Sequence, residues 1–249
     1  MNNFCIVIPN FNHVSVIDEV LATLTEYTLP IIMVDDASSV QAKSLFATLE
    51  KKYAHLTLIS HEQNEGKGGA VQTGLRCAYG QGYSHAIQVD ADGQHNLSDI
   101  KKLIELSNTH PQALISCCPV YDESVPKHRY LARYLTHVWV WIETLSFKIV
   151  DSMCGFRVYP LNVTNKLISE VNLGKRMDFD PEILVRLYWR NVPFVFLPSQ
   201  VINPENGLSH FQPLQDNVRI SWLHTRLFFG MLLRSPVLLW HKYKRRYGR

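Results

Sequence analysis

Residues 86–95 read Ala-Ile-Gln-Val-Asp-Ala-Asp-Gly-Gln-His, a short strand-like run that leads into two carboxylates. Asp90, Asp92 and Gln94 occupy alternate positions after the run, so their side chains can point the same way. Two carboxylates buried side by side repel each other unless a cation lies between them. Oxygen ligands of this kind suit Mg²⁺ or Mn²⁺, which usually keep open positions for phosphate groups. The stretch therefore predicts a divalent-metal site at a strand end, with a capped turn as the alternative.

Strands and helices alternate on both sides of this stretch. Apolar runs predict strands at Phe4 to Ile8, Ile31 to Val34, Leu56 to Ile59, Ala86 to Val89, Ala113 to Cys117 and Val192 to Leu197. Helices are predicted at Val14 to Thr28, Ser39 to Tyr53, Gly68 to Tyr79, Leu97 to Ser107, Leu131 to Val150 and Asp180 to Trp189. The alternation predicts an α/β fold whose mainly parallel sheet carries helices on both faces. Ligands of such sheets bind beyond the carboxyl ends of the strands.

Two further polar clusters lie near predicted strand ends. Asp35 and Asp36 follow the second strand, where a carboxylate can accept hydrogen bonds from a base or a ribose hydroxyl. A helix N-cap formed by the serines that follow is compatible with this role. Asn64 to Ala70 is a glycine-rich turn that includes Lys67, and such a turn lets a phosphate approach the backbone at a helix N-terminus. An ordinary glycine turn is the alternative for this segment.

The order and approximate spacing of these segments resemble those of family-2 glycosyltransferases. The matching segments are Asn10-Phe11-Asn12, Val34 to Ser38, Asn64 to Ala70 and Asp90 to His95. Asp151 to Arg157 is similar to the D-x-x-x-G-F-R segment of the branch that contains dolichyl-phosphate mannose synthases and bacterial polyprenyl-phosphate glycosyltransferases. Gly207 to Phe211 resembles a glycine-serine-histidine segment of the same branch. The resemblance covers roughly residues 4–210.

The resemblance implies a GT-A (Rossmann-like) fold and an inverting, single-displacement transfer from a nucleotide-sugar donor. It places Asp36 on the nucleotide, and Asp90, Asp92 and Gln94 around the metal. With the glycine-rich turn, the residues expected to bind the donor are Pro9, Asn10, Asp36, Asn64, Lys67 and Asp90. The sequence departs from the family pattern at Phe11 and His13, where a tyrosine and an acidic residue are usual.

Charged residues further along the chain are candidates for the chemical step. Cations can share the charge of the departing diphosphate with a metal ion, and the candidates are Lys127, Arg129, Arg133 and Arg157. A hydroxyl acceptor would need a general base, whereas a lipid phosphate oxygen is already anionic and would not. The candidate bases are Asp151, Asp178, Asp180 and Glu182. Solvated or helix-capping roles are the alternatives for these residues.

The composition changes near the C-terminus, so residues 1–211 are expected to form a catalytic domain and residues 212–249 an amphipathic helical extension. Leu223 to Trp240 is rich in leucine and aromatic residues, and cations follow at Lys242, Lys244, Arg245, Arg246 and Arg249. Such a segment predicts a membrane-surface anchor, because each cation near anionic lipid contributes on the order of 1 kcal/mol. A helix packed on the domain, with a solvated basic end, is the alternative.

Composition and charge narrow the expected location and partners. The net charge of +3 is too small to indicate a nucleic-acid partner. The N-terminus shows no signal peptide, and no apolar run reaches the roughly 20 residues that a membrane-spanning helix needs. The five cysteines form no CxxC pair, which predicts free thiols in a reducing compartment. The expected location is the cytoplasm, peripheral at the inner face of the membrane.

The sequence thus predicts a metal-dependent, inverting glycosyltransferase, specifically a hexosyltransferase, that uses a nucleotide-sugar donor. The expected acceptor is membrane-associated, either a lipid phosphate or another lipid-linked molecule, in the synthesis of a cell-envelope glycan or glycolipid. One alternative is a transferase that acts on a glycan hydroxyl. The other is a non-catalytic, membrane-associated protein that binds nucleotide sugars. A sugar nucleotidyltransferase is disfavoured, because its N-terminal glycine-rich loop is replaced here by Pro9-Asn10-Phe11-Asn12.

Overall fold

The computed structural model describes residues 2–120, 127–201 and 212–247 and, within them, all side chains except those of residues 127–132, 213 and 245–247. The strands are β1 (Phe4–Asn10), β2 (Ile31–Asp35), β3 (Leu56–Ser60), β4 (His85–Gln88), β5 (Leu114–Val120), β6 (Arg157–Pro160) and β7 (Phe194–Gln200). The helices are α1 (Ile17–Leu24), α2 (Val40–Lys52), α3 (Lys67–Gly80), α4 (Ile100–Thr109), α5 (Lys127–Thr144), α6 (Leu161–Glu170), α7 (Phe179–Trp189) and α8 (Pro213–Tyr247). Short 3₁₀ turns lie at Thr25–Tyr27 and Leu97–Asp99.

The described strands form one seven-stranded sheet in the order β3-β2-β1-β4-β6-β5-β7. β1 is parallel to β2 and β4, β2 to β3, and β5 to β7. β6 lies antiparallel between β4 and β5, in a register that sets Arg157 opposite Gln88. The sheet is therefore mainly parallel, as the sequence predicts.

Both faces of the sheet are buried under helices. On β1, Phe4, Ile6 and Ile8 belong to one core cluster, whereas Cys5 and Val7 belong to the other. Helices α1, α2 and α4 supply the first cluster, and α3, α6 and α7 supply the second. Since successive side chains of a strand point to opposite faces, a continuous apolar run is what a strand buried on both faces requires. The predicted α/β class is confirmed.

Some element bounds differ from the prediction. β6 and α6 are absent from the prediction; for β6 the reason is that four residues that include an arginine and a proline give no readable period. The helix predicted from Leu131 to Val150 begins earlier, at Lys127, and ends at Thr144. It stops there because Leu145 adopts a left-handed φ of +50°, which an α-helix cannot continue.

The C-terminal segment is one helix, α8, that packs on the body of the protein. Leu223 and Leu227 belong to the second core cluster, and His224 is buried with its Nδ1 2.8 Å from Oε1 of Glu143 on α5. The Trp189 ring on α7 lies under the Arg234 guanidinium, 4.7 Å from the ring centroid. No helix in the described ranges is both long enough and apolar enough to cross a membrane. The boundary after residue 211 stays a prediction.

Candidate functional site

A cavity of about 540 Å³ opens at the carboxyl ends of β1, β2 and β4. Its size is that of a small-molecule site. Its walls come from the ends of these strands, the start of α3, the segment before α7 and the start of α8. The lining residues are Pro9, Asn10, Phe11, His13, Asp36, Asn64, Gly66, Lys67, Ala70, Asp90, Ala91, Asp92, Gln94, Arg176, Met177, Gln212 and Asp216.

The residues predicted to bind the donor and the metal meet in this cavity. Pro9, Asn10, Asp36, Asn64, Lys67, Asp90, Asp92 and Gln94 all line it. The two residues that depart from the family pattern, Phe11 and His13, line it as well. Parallel strands end at the same edge of a sheet, which is why segments far apart in sequence converge here. The individual roles of these residues stay predictions.

Asp36 ties the end of β2 to the glycine-rich turn. Its Oδ1 accepts a hydrogen bond from the backbone N–H of Glu65 at 2.8 Å, and its Oδ2 accepts one from Gly66 at 2.7 Å. Nδ1 of His61 lies 2.8 Å from the same Oδ1, and the Asn64 amide donates to the Asp36 carbonyl at 3.1 Å. These contacts fix the shape of the turn, so Asp36 supports one wall of the cavity as well as facing it.

The glycine-rich turn needs glycine at its last position before α3. Gly66 has φ of +92°, where a side chain is strained, and a Cβ there would lie 2.6 Å from Cγ of Arg176. Arg176 therefore packs directly against the turn and also lines the cavity. The prediction missed Arg176, although a cation beside an acidic helix start was a visible signal. Gln212 and Asp216 were also missed, because nothing in a helical tail marks two of its residues as cavity-lining.

Asp90 is held by three side chains. Lys67 donates to its Oδ2 at 2.9 Å, His95 Nε2 lies 3.4 Å from that oxygen, and Gln88 donates to its Oδ1 at 3.0 Å. Burial by itself would raise the pKa of Asp90, but the attraction of Lys67 and His95 outweighs it and holds the pKa well below its ordinary value. Asp90 is therefore a carboxylate at neutral pH.

Lys67 joins Asp90 to a second buried carboxylate. Its Nζ lies 3.2 Å from Oδ2 of Asp180, whose Oδ1 accepts a hydrogen bond from Arg157 at 3.1 Å. Burial opposes the charge on Lys67, but the two carboxylates overcome this and raise the pKa of Lys67. Arg157 is fully buried, and its other amino group donates to the Ser152 carbonyl at 3.0 Å. Two positive and two negative charges thus neutralise one another, with Lys67 and Asp90 in the cavity wall and Asp180 and Arg157 behind it.

The donor set fits a divalent cation in its chemistry. Asp90, Asp92 and Gln94 offer hard oxygen ligands on the wall of one cavity. Among the residues described, no group of three or more histidine, cysteine, aspartate or glutamate side chains is clustered tightly enough to hold a metal ion. Ligands supplied by a bound diphosphate are usual for Mg²⁺, so two carboxylates and an amide suffice as the protein's share.

The side chains expected to be catalytic do not line the cavity. Asp180, Arg157, Glu182 and Asp151 all lie behind its wall. Glu182 accepts hydrogen bonds from Arg186 at 2.8 Å and from the Gly174 N–H at 2.7 Å. Asp178, the remaining candidate base, accepts one from the Arg176 N–H at 3.1 Å. Each of these carboxylates is bonded to a neighbouring donor and lies outside the cavity lining, and their catalytic roles stay predictions.

Arg133, predicted as a phosphate ligand, is not among the residues that line the cavity, and its role stays a prediction. It forms a two-pronged pair with Asp151, with N···O distances of 2.8 and 2.7 Å. Burial would raise the pKa of Asp151, but His137 and Arg133 together lower it. Lys127 and Arg129 lie in the first turn of α5, where side chains are outside the described set. The predicted segment Gly207 to Phe211 also lies outside the described residues.

Comparison with known proteins gives three kinds of match. The family model described as Glycosyl transferase family 2 matches residues 5–165. Dolichyl-phosphate beta-glucosyltransferase of Dictyostelium discoideum is 27% identical, with 92% of this chain and 74% of that protein covered. UDP-N-acetylglucosamine--dolichyl-phosphate N-acetylglucosaminyltransferase of Methanococcus voltae is 28% identical, with 92% of this chain and 94% of that protein covered.

The structure of mannosyltransferase PcManGT from Pyrobaculum calidifontis, in complex with GDP-Man and Mn2+, matches with a TM-score of 0.59 at 16% identity, covering 93% of this chain and 64% of that one. The structural likeness shows a shared, GT-A-like fold.

Proposed function

The chain belongs to glycosyltransferase family 2, and from this membership we propose that it moves a hexose from a nucleotide-sugar donor to the phosphate of a polyprenyl lipid. The observation that carries the proposal is the convergence of Asp36, Lys67, Asp90 and Asp92 on one cavity. Two relatives named for transfer to dolichyl phosphate support a lipid phosphate as the acceptor. A glycan hydroxyl is the alternative acceptor, and a non-catalytic donor-binding protein is the alternative class.

In this proposal the cavity binds the donor through its nucleoside diphosphate. Asp36 and the glycine-rich turn face the nucleoside, and Lys67 and Arg176 present positive charge to the phosphates. Asp90, Asp92 and Gln94 would hold Mg²⁺ or Mn²⁺, and a bound divalent ion would supply positive charge to the diphosphate leaving group. The Mn2+ in the PcManGT structure supports a divalent ion in this fold.

The proposed transfer is a single displacement with inversion at the sugar carbon. An acceptor phosphate is already ionised, so it attacks without losing a proton to the enzyme. Asp180 is bonded to Lys67 and Arg157, and Glu182 to Arg186, so both carboxylates already have cationic partners. This arrangement supports an acceptor that requires no general base.

The donor site can be tested by thermal unfolding with UDP-, GDP-, CDP- and dTDP-sugars, with and without Mn²⁺. A donor at 100 times its dissociation constant adds about 2.7 kcal/mol, which corresponds to a rise in Tm of roughly 5–10 °C for a chain of this size. We expect one donor class to give this rise only with Mn²⁺, and Asp92→Asn to lose it.

Glu105→Gln, the same kind of change on the exposed face of α4, serves as the control and should keep the full rise in Tm. A folded wild-type protein that no donor stabilises would contradict the assigned site. Stabilisation without any sugar transfer to polyprenyl phosphate or to a glycan would instead favour the non-catalytic alternative.

We further propose that residues 212–249 contact a membrane surface. One face of α8 is packed on the protein, yet a second face carries an apolar stripe of side chains that are each more than half exposed, namely Leu214, Val218, Trp222, Phe229, Leu233 and Trp240. At helical spacing these residues fall within one side of the helix, over a length of about 39 Å. Exposed apolar patches of this extent mark interaction sites, and the cations that follow suit anionic lipid.

Trp222→Glu combined with Leu233→Glu should weaken binding to vesicles of phosphatidylcholine and phosphatidylglycerol by at least about tenfold. Each substitution removes a large apolar side chain, whose burial contributes about 1.5–3 kcal/mol, and adds a charge. Co-sedimentation with the vesicles measures the change. Val40→Glu changes an equally exposed apolar residue on α2 and should bind like the wild type. Equal vesicle binding by all three proteins would exclude the apolar stripe as the contact.

A further inference from the structure

Six largely buried side chains, two in the cavity wall and four behind it, form a closed ring of polar contacts. In order around the ring they are Asp90, Lys67, Asp180, Arg157, Tyr159 and Gln88. The end of β4 and the residues just after it supply Gln88 and Asp90, and the other four members come from the start of α3, the start of α7 and the antiparallel strand β6. Lys67 and Asp90 line the cavity, whereas the other members lie behind it.

Half of the ring is a directional chain of hydrogen bonds that ends on Asp90. Arg157 donates to the Tyr159 hydroxyl at 3.4 Å, and that hydroxyl donates to Oε1 of Gln88 at 3.1 Å. Nε2 of Gln88 then donates to Oδ1 of Asp90 at 3.0 Å. Because Gln88 Oε1 is occupied by the hydroxyl, the amide must present its N–H group to the carboxylate. Without the hydroxyl, the amide could turn and set its own oxygen against Asp90.

This chain of hydrogen bonds lies in the protein interior. Gln88, Arg157 and Tyr159 are fully buried. Burial raises the pKa of Tyr159 to about 12, so the hydroxyl keeps its proton and stays a donor. The β4–β6 register places Arg157 opposite Gln88 and Tyr159 opposite Ala86, which brings the tyrosine diagonally next to the glutamine.

We propose that Gln88 and Tyr159 are positioning residues that fix the Asp90 carboxylate for the donor diphosphate and its cation. The inference rests on the proposed donor site, since it assigns Asp90 a role there. Neither residue touches the cavity, so both act through Asp90. Residues that orient a metal-binding carboxylate typically change metal affinity or activity by about 10- to 100-fold when replaced.

The test is a double-mutant cycle on Tyr159→Phe and Gln88→Met. The dissociation constant of Mn²⁺ is measured by electron paramagnetic resonance in the presence of UDP and, separately, of GDP. We expect each single variant to raise this constant by about tenfold and the double variant to match the single ones, because both changes break the same chain. Tyr53→Phe, which removes a hydroxyl bonded to the distant Asp18, should keep the wild-type constant.

Three outcomes are decisive, and all are read on variants whose circular dichroism matches the wild type. Wild-type Mn²⁺ affinity in Tyr159→Phe would overturn the inference and leave the proposed function standing. If the two changes in Mn²⁺ binding free energy simply add in the double variant, the inference would also be overturned, because two independent local disturbances would then explain the losses of affinity. A wild-type protein that binds no Mn²⁺ with either nucleotide would overturn both the inference and the proposed metal site.

Discussion

Gly155→Ala is expected to lower the rate of sugar transfer by about a hundredfold or more. A Cβ at this position would lie 2.6 Å from both Oδ2 of Asp90 and Nε2 of Gln88, and 2.7 Å from Oδ1 of Asp90. Real side chains do not approach so closely, so the carboxylate and the amide would have to move. A displacement of about 1 Å at a reacting group can lower a rate by a factor of about 100.

The same substitution should leave a folded protein. Overpacking a buried site lowers the free energy of unfolding by about 1–3 kcal/mol, which a domain of ordinary stability survives. Gly80→Ala is the matched control, because a Cβ at Gly80 would meet no atom within 4 Å. Steady-state transfer assays and thermal unfolding of both variants measure the two effects. Wild-type transfer by Gly155→Ala would show that Asp90 tolerates displacement and would contradict the assigned role.

Lys67→Met is expected to reduce both stability and transfer. Lys67 is the cation shared by Asp90 and Asp180, at 2.9 and 3.2 Å, and its side chain is only 21% exposed. Removing one partner from a buried ion pair leaves an uncompensated charge and lowers the free energy of unfolding by about 3 kcal/mol. Transfer should become undetectable, because the substitution removes a phosphate-facing cation and releases Asp90 from its position.

Lys175→Met provides the comparison for this variant. Lys175 pairs with Glu65 at 2.8 Å, but the two side chains are 55% and 41% exposed. Exposed ion pairs contribute less than about 1 kcal/mol, so this variant should stay close to the wild type. Urea unfolding monitored by tryptophan fluorescence gives both free energies. Equal losses of unfolding free energy in the two variants would contradict a buried charge network around Lys67.

Much of the fold and the donor side of the cavity could be predicted from the sequence. Apolar runs such as Phe4 to Ile8 identify strands buried on both faces, and polar residues directly after them identify the edge where ligands bind. Asp36, Asp90 and Asp92 therefore meet in space because parallel strands share one carboxyl edge. Apolar runs and the polar residues that follow them are local patterns, which do not depend on how distant side chains pack.

The tertiary structure alone decided what each charge faces. The sequence predicts roles in the chemical step for four charged residues, Arg133, Asp151, Arg157 and Glu182. In the structure each of them has its counter-ion inside the protein. Gln88 and Tyr159 carry no sequence signal, because their contact depends on an antiparallel pairing of β4 with β6 across 71 residues. Local pattern determines which residues reach a strand end, whereas long-range packing determines whether a buried charge meets a substrate, a cation or a neighbouring carboxylate.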